Sequence, residues 1–241
     1  MRLWNGWGNE NSELTMELND GLRALLEALV GPGTSLNQAT LKEVISKVPV
    51  SRLDNHSLIK TDPETRVRHA RGQSLPDWLD MHICNVDTFP DGVAFQESAE
   101  QVRELLAYSR ENNLVVIPYG GGTSVVGHIN PMKSDRPILT IDMGKMSSLL
   151  SIDTESQLAT FGAGTPGPVV EETLKKHGYT LGHFPQSWEL STLGGWVASR
   201  SSGQQSLHYG RIENMFDGGI IETFNVTMTI PTNPASSAGP D

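Results

Sequence analysis

Apolar positions along this chain recur with two periods. Leu14, Leu18, Leu22, Leu25, Leu26 and Leu29 fall at helical spacing and share one face, and Gly31-Pro32-Gly33 ends the run. Thr40 with Glu43 reads as a capping box opening a second helix through Leu41, Val44, Ile45 and Val48, stopped by Pro49. Both helices read as packing elements. Residues 51–96 are polar and punctuated by proline. Their basic cluster, Arg66, Arg68, His69 and Arg71, reads as a solvated surface. A further box at Ser98–Gln101 precedes Val102, Leu105, Leu106 and Ser109, which mark a third helix. Short apolar runs then predict strands at Leu114–Pro118, Ile138–Ile141, Leu149–Ile152 and Leu158–Phe161, with a strand-like stretch at Tyr179–Gly182. Val169, Val170 and Leu174 predict a helix after Gly162–Pro168, where Pro168 suits a first turn. Ile220 and Ile221 with Val226–Ile230 predict a final hairpin. Strands and helices alternate without forming a regular βαβ series, and there is no internal repeat.

Composition narrows the function classes. The 241 residues include 24 glycines and 14 prolines, and 37% are hydrophobic, which fits a loop-rich α/β or α+β protein with a sizeable core. A formal net charge of −10 argues against a nucleic-acid partner, which needs a basic face. Cys84 is the single cysteine, so no intramolecular disulfide and no cysteine-based metal cluster can form; His128, His177, His183 and His208 show no metal spacing. A cytoplasmic location follows as the expectation. No apolar run approaches the roughly 18 residues of a membrane span, and the first eight residues have no signal-peptide character.

The candidate chemistry starts at Val115–Gly127, Val-Val-Ile-Pro-Tyr-Gly-Gly-Gly-Thr-Ser-Val-Val-Gly. A strand that opens into such a loop can aim several backbone N–H groups at one anion. A P-loop is excluded because no lysine follows Gly122. Gly162, Gly164 and Gly167 satisfy the dinucleotide spacing Gly-x-Gly-x-x-Gly. Pro166 and Pro168 remove donors that a pyrophosphate would need, so a tight strand-to-helix turn is the preferred role. A second segment, Pro185–Gly203, has many hydroxyls and little helical or strand period. Burying it requires a partner for its polar groups, and a large, flat, polar ligand would be one. Within it, Gly194 and Gly195 also read as close-packing positions, Trp188 and Trp196 as core, and Arg200 as either a phosphate-recognising guanidinium or a surface ion pair.

Several stretches then carry a family resemblance. Pro118-Tyr-Gly-Gly-Gly-Thr-Ser124, Ser191–Gly203 and Tyr209-Gly-Arg-Ile-Glu213 resemble the FAD-binding domain of vanillyl-alcohol-oxidase-type flavoproteins. Trp4-Asn-Gly-Trp-Gly8, His69–Trp78 and Phe89–Ala94 extend the resemblance, in order, over nearly the whole chain, and bring it nearest to the alkyldihydroxyacetonephosphate synthase (alkylglycerone-phosphate synthase) family.

The resemblance implies an α+β fold: a PCMH-type FAD-binding domain of two α/β subdomains at 86–241, behind a helical and extended region at 1–85. It implies incompleteness at the C-terminus. Pro234–Asp241 is similar to a stretch after which the family completes its flavin domain and adds a substrate cap. Catalytic residues are therefore unassigned. By the resemblance, Pro118, Tyr119, Gly120, Gly121, Gly122, Thr123 and Ser124 would wrap the FAD pyrophosphate. Gln186, Ser187, Trp188, Glu189, Leu190, Ser191 and Thr192 would line the cofactor, and Ser199, Arg200, Ser201 and Ser202 would contact it further along. Gln186 stands where the family usually has aspartate. Thr123 stands in the region where covalent members of the superfamily carry a flavin-bonding histidine, so non-covalent FAD is expected. The implied activity is exchange of the acyl group of acyl-dihydroxyacetone phosphate for a fatty alcohol. The alternatives are an FAD-dependent 2-hydroxy-acid (D-lactate type) dehydrogenase and an inactive flavin- or partner-binding fragment. The expected partners are FAD, a lipid-like or 2-hydroxy-acid substrate and a second copy in a homodimer; peripheral contact with a membrane is compatible with the lipid reading.

Overall fold

The computed structural model describes residues 2–10 and 19–233. Its elements run α1 (Asp20–Val30), α2 (Leu41–Ser46), β1 (Ile59–Lys60), α3 (Pro63–Arg68), α4 (Leu75–His82), β2 (Gly92–Phe95), α5 (Ala99–Glu111), β3 (Val115–Tyr119) and β4 (Ile138–Asp142). A 3-10 turn at Met143–Lys145 follows, then β5 (Leu149–Asp153), β6 (Leu158–Phe161), α6 (Gly167–Lys176), α7 (Leu193–Ser199), α8 (Ser206–Tyr209), α9 (Ile212–Met215), β7 (Gly219–Glu222) and β8 (Thr227–Ile230).

The main sheet has the order β1-β2-β4-β3, with β2, β4 and β3 parallel and β1 antiparallel to β2. The central strand β4 reads Ile-Leu-Thr-Ile over buried positions, the near-continuous apolar run of a strand covered on both faces. Helix α5 connects β2 to β3 and packs Val102, Leu105 and Leu106 against Ile59, Ala94, Leu139 and Ile141. Tyr119 pairs with Asp142 in the register, so β3 and β4 end level and release two loops side by side. Parallel strands place ligand sites outside such carboxyl ends. Beyond β4 come two antiparallel hairpins, β5–β6 and β7–β8.

A second core joins Val44 of α2, Val67 of α3 and Met81 of α4 with Ala70, Val86 and Phe89. Here the structure corrects one expectation. The basic cluster is packed inside rather than solvated. Arg66 is 1% exposed and donates from Nε to Pro90 O at 2.6 Å and from Nη1 to Pro49 O at 2.7 Å. Arg71 Nη1 donates to Ala70 O and Thr88 O. A proline-punctuated segment leaves carbonyls without ladder partners, and these guanidinium groups satisfy them. The capping box at Thr40 and Glu43 forms as expected. Helix α1 is capped by Asn19 and ended by Gly31 at φ 86°, but Leu25 and Leu29 on its face are 54% and 72% exposed; Leu14 and Leu18 lie outside the described residues.

Two further differences have local causes. Tyr179–Gly182 is not a strand, because Glu171 of α6 takes its donors: the N–H groups of Leu181 and Gly182 and the Thr180 hydroxyl all bond to its carboxylate at 2.8–3.1 Å. Residues 193–199 are helical although no apolar period announces it. Helix α7 packs through Gly194, where a Cβ would lie 2.7 Å from Ala163 Cβ, and through Trp196, 2% exposed.

The main sheet is tied at its other end by Asp91. Its buried carboxylate accepts from Arg52 Nε at 2.9 Å, Arg52 Nη2 at 2.7 Å and Ile138 N–H at 2.8 Å. Burial opposes its ionisation, yet these hydrogen bonds outweigh burial and hold the carboxyl below the usual carboxylate range. Asp91→Asn is therefore expected to cost about 2 kcal/mol at pH 7. The folded pKa lies below the unfolded value of about 3.9, so the stabilisation is complete above that pH and is lost as pH falls through the folded pKa. Urea unfolding at pH 7 and pH 3 should show the gap between wild type and variant narrowing in acid.

The loop after β3 and the segment before α7 approach without room for side chains. A Cβ on Gly120 would run into the Thr192 hydroxyl, and one on Gly121 into the Leu190 carbonyl oxygen. Gly121→Ala should destabilise the fold by about 2–3 kcal/mol, because the obstacle is backbone. Gly33→Ala meets nothing within 4 Å and should stay within about 0.5 kcal/mol of wild type in the same urea titration.

Candidate functional site

A cleft of about 410 Å³ lies at the carboxyl ends of β3 and β4. Five parts of the chain build it: the N-terminal loop at Arg2–Gly6, the end of α3 with Arg68–Gln73 and Trp78, the β3 end with Tyr119–Gly121, the turn at Asp142–Ser147, and the Gly164–Val169 turn with Leu190 and Thr192.

His69 joins the first parts to the sheet. Its Nδ1 donates to Thr65 O at 2.7 Å, and its Nε2 lies 2.9 Å from Asp142 Oδ2. Asp142 Oδ1 accepts from Gly144 N–H at 2.7 Å and so shapes the neighbouring turn. The His69 ring sits 4.7 Å from that of Tyr119. Burial raises the Tyr119 phenol above its ordinary range, so it stays neutral under working conditions. Gly122 folds back over the Tyr119 hydroxyl, with no space for a Cβ and with φ at 63°, a conformation glycine adopts without strain.

The residues singled out from the sequence fall into two groups. Tyr119, Gly120, Gly121, Leu190 and Thr192 are brought together on the cleft wall. The others lie outside it. Pro118 is exposed and Gly122 buried, while Thr123 and Ser124 are half-buried. Ser124 O accepts from Gln73 N–H at 2.6 Å. Gln186 and Glu189 are exposed. Ser187 O accepts from the Ser191 hydroxyl, which itself accepts from Trp196 Nε1 at 2.7 Å. Trp188 is half-buried, its indole nitrogen buried without a partner among the described residues. Ser199 and Ser202 are exposed; Ser201 Oγ bonds His183 Nε2 at 2.7 Å, and burial pushes that imidazole below its ordinary range. Arg200 ends α7 in the left-handed region and lies 3.6 Å from Glu213 with its side chain 69% exposed, the geometry of a surface ion pair.

Sequence reasoning assigned no site role to Arg2, Trp4, Arg68, His69, Arg71 or Asp142. The signal that could have found Trp4, His69 and Arg71 was the pair of motifs Trp4–Gly8 and His69–Trp78. Gly162, Gly164 and Gly167 serve close packing, against the carbonyls of Met146 and Met143 and against Trp188.

The donor set fits an anionic nucleotide cofactor. The N–H groups of Gly121, Gly122, Thr123 and Ser124 donate to no protein acceptor among the described residues. Thr192 Oγ1 is buried beside the loop without a partner. Together they form a small-residue cradle whose polar atoms call for a ligand.

Comparison with known proteins agrees. Residues 90–219 match the family described as FAD binding domain. Alkyldihydroxyacetonephosphate synthase of Dictyostelium discoideum is 32% identical over 98% of this chain and 44% of its own length. Mitochondrial D-lactate dehydrogenase (cytochrome) 1 of Saccharomyces cerevisiae is 28% identical over 79% of this chain and 29% of its own. A solved alkyldihydroxyacetonephosphate synthase superposes with a TM-score of 0.83 at 30% identity, covering 95% of this chain and 48% of that one. The chain thus spans under half the length of these relatives. No helix among the described residues is long and apolar enough to cross a membrane. The glycine loop at the end of β3, the hydroxyl segment locked against it and the match across 90–219 place this chain in the FAD binding domain family, with a PCMH-type fold.

Proposed function

We propose that this chain is the FAD-binding part of an alkyldihydroxyacetonephosphate synthase-like enzyme, which exchanges the acyl group of acyl-dihydroxyacetone phosphate for a fatty alcohol. One observation carries the reading: a loop with open N–H groups at 121–124 leaves the β3 end and is held edge to edge against Leu190–Thr192. The loop Pro118–Ser124 would wrap the pyrophosphate, with the N–H groups of Gly121, Gly122, Thr123 and Ser124 as the donors. Gln186–Thr192 and Ser199–Ser202 would line the rest of the cofactor, with the hydroxyls of Ser191 and Thr192 as polar contacts. Arg200 would contribute only by leaving Glu213. When bound, FAD supplies a ring able to accept electrons or react with a substrate carbon, while the protein binds, orients and screens it from water. Thr123 cannot form the histidyl–flavin bond, which supports non-covalent attachment.

Similarity to the synthases over nearly the whole chain supports the acyl-for-alkyl exchange. The likeness to a D-lactate dehydrogenase supports the second reading, oxidation of a 2-hydroxy acid. A lipid-like substrate and a homodimer belong to the first. Flavin fluorescence during FAD titration should show saturable binding, and acid precipitation should release all flavin into the supernatant. Flavin retained on the pellet would overturn non-covalent attachment, and no saturable binding would overturn the reading itself. With FAD bound, ether-lipid formation from acyl-dihydroxyacetone phosphate and hexadecanol favours the synthase; dye reduction by D-lactate favours the dehydrogenase.

A further inference from the structure

The N-terminal loop lines the cleft, and it is also wired to the glycine loop. Arg2 Nη1 donates to the carbonyl oxygen of Gly121 across 119 residues of sequence. Arg68 Nη1 in turn donates to Arg2 O at 2.8 Å, and Leu3 N–H closes the loop on Gly8 O at 2.9 Å. Trp4 anchors it against the core of Val44, Val67 and Met81. Arg2 is thus held from behind by α3 and from below by that core, with its guanidinium fixed on one carbonyl of the glycine loop.

We propose that Arg2 is a positioning residue, which sets the Gly121–Gly122 peptide so that its N–H is presented to a phosphate oxygen of the bound dinucleotide. The proposal rests on the FAD reading. A trans peptide carries its C=O and N–H on opposite edges, and this chain contains no cis peptide among its described residues. With Gly121 O held by the guanidinium, the Gly122 N–H faces away from Arg2. It has no acceptor among the described residues. Gly122 at φ 63° supplies the left-handed conformation that anion-binding nests use. The opposite peptide orientation would turn the Gly121 oxygen toward the phosphate and repel it. A charged donor on the carbonyl also polarises the peptide and strengthens its N–H as a donor. Arg2 lines the cleft beside Gly121, with its Nη2 buried and without a partner among the described residues, and its effect on the Gly122 N–H runs through the Gly121 carbonyl.

The test uses wild type, Arg2→Ala and Arg2→Lys, with FAD followed by flavin fluorescence and inorganic pyrophosphate followed by NMR of the glycine-labelled Gly122 amide. Arg2→Ala should weaken both ligands by about tenfold or more, the effect of one misplaced bond to a charged group. Its melting temperature should move by no more than about 3 °C. Arg2→Lys, which keeps a charge and a donor, should return affinity to within about threefold of wild type. Pyrophosphate should shift the Gly122 amide in wild type and Arg2→Lys but not in Arg2→Ala. Equal affinities for both ligands in wild type and Arg2→Ala, or a wild-type Gly122 amide unmoved by saturating pyrophosphate, overturn the proposal while leaving FAD binding intact. Failure of wild type to bind either ligand overturns the FAD reading and this proposal with it. If Arg2→Ala does not fold, Arg2→Gln decides: pyrophosphate affinity at least about threefold below wild type supports the proposal, and equality overturns it.

Discussion

Two missing Cβ atoms set the geometry on which the site depends. Gly120 lets the loop after β3 lie directly on the Thr192 side chain, and Gly121 lets it lie on the Leu190 main chain. That contact joins the parallel sheet to the region beyond β4 and fixes which amides of the loop stay open. Interiors are close-packed, so an obstacle of one carbon at such a contact cannot be absorbed by side-chain rotation. The same economy recurs at the neighbouring turn, where Gly162 and Gly164 sit on the carbonyls of Met146 and Met143. Glycine is used at these places to bring main chains together; at Gly122 it is used for its dihedral angle as well.

Around this contact the polar groups form a continuous chain. His69 links Thr65 of α3 to Asp142 at the end of β4, and Asp142 holds Gly144. Tyr119 fills the space between the His69 ring and Gly122. The arginines of the N-terminal half satisfy carbonyls that no strand or helix reaches. A protein with net charge −10 thus keeps a concentration of cationic groups in and behind one cleft. Carboxylates accompany them: Arg68 lies against Glu10 and Glu64, Arg71 against Asp87 and His69 against Asp142.

Much of the fold was legible in the sequence because period and capping act locally. The capping box at Thr40, the helix through Val102 and Leu105, the strands from Val115 to Phe161 and the last hairpin follow from residues within a few positions of one another. The glycine loop and the hydroxyl segment were expected to meet at a shared ligand, whereas the direct contact of Gly121 with the Leu190 main chain has no signal in either segment. What stayed hidden depends on distant contacts. Nothing near Arg66 in the sequence says that Pro49 and Pro90 will offer it carbonyls. Nothing near Tyr179 says that Glu171 will take the amides of the following residues. Helix α7 packs through glycine and one tryptophan, so its seven residues carry no apolar stripe to read.

The bond between Arg2 and Gly121 also has a consequence for the order of assembly. Synthesis proceeds from the N-terminus, so Arg2 is made 119 residues before its acceptor. The helices that hold the N-terminal loop, α2 to α4, are complete before β3 emerges. The residues that hold Arg2, on α2 to α4, thus precede in the chain the loop it clamps, and the cradle joins segments far apart in sequence.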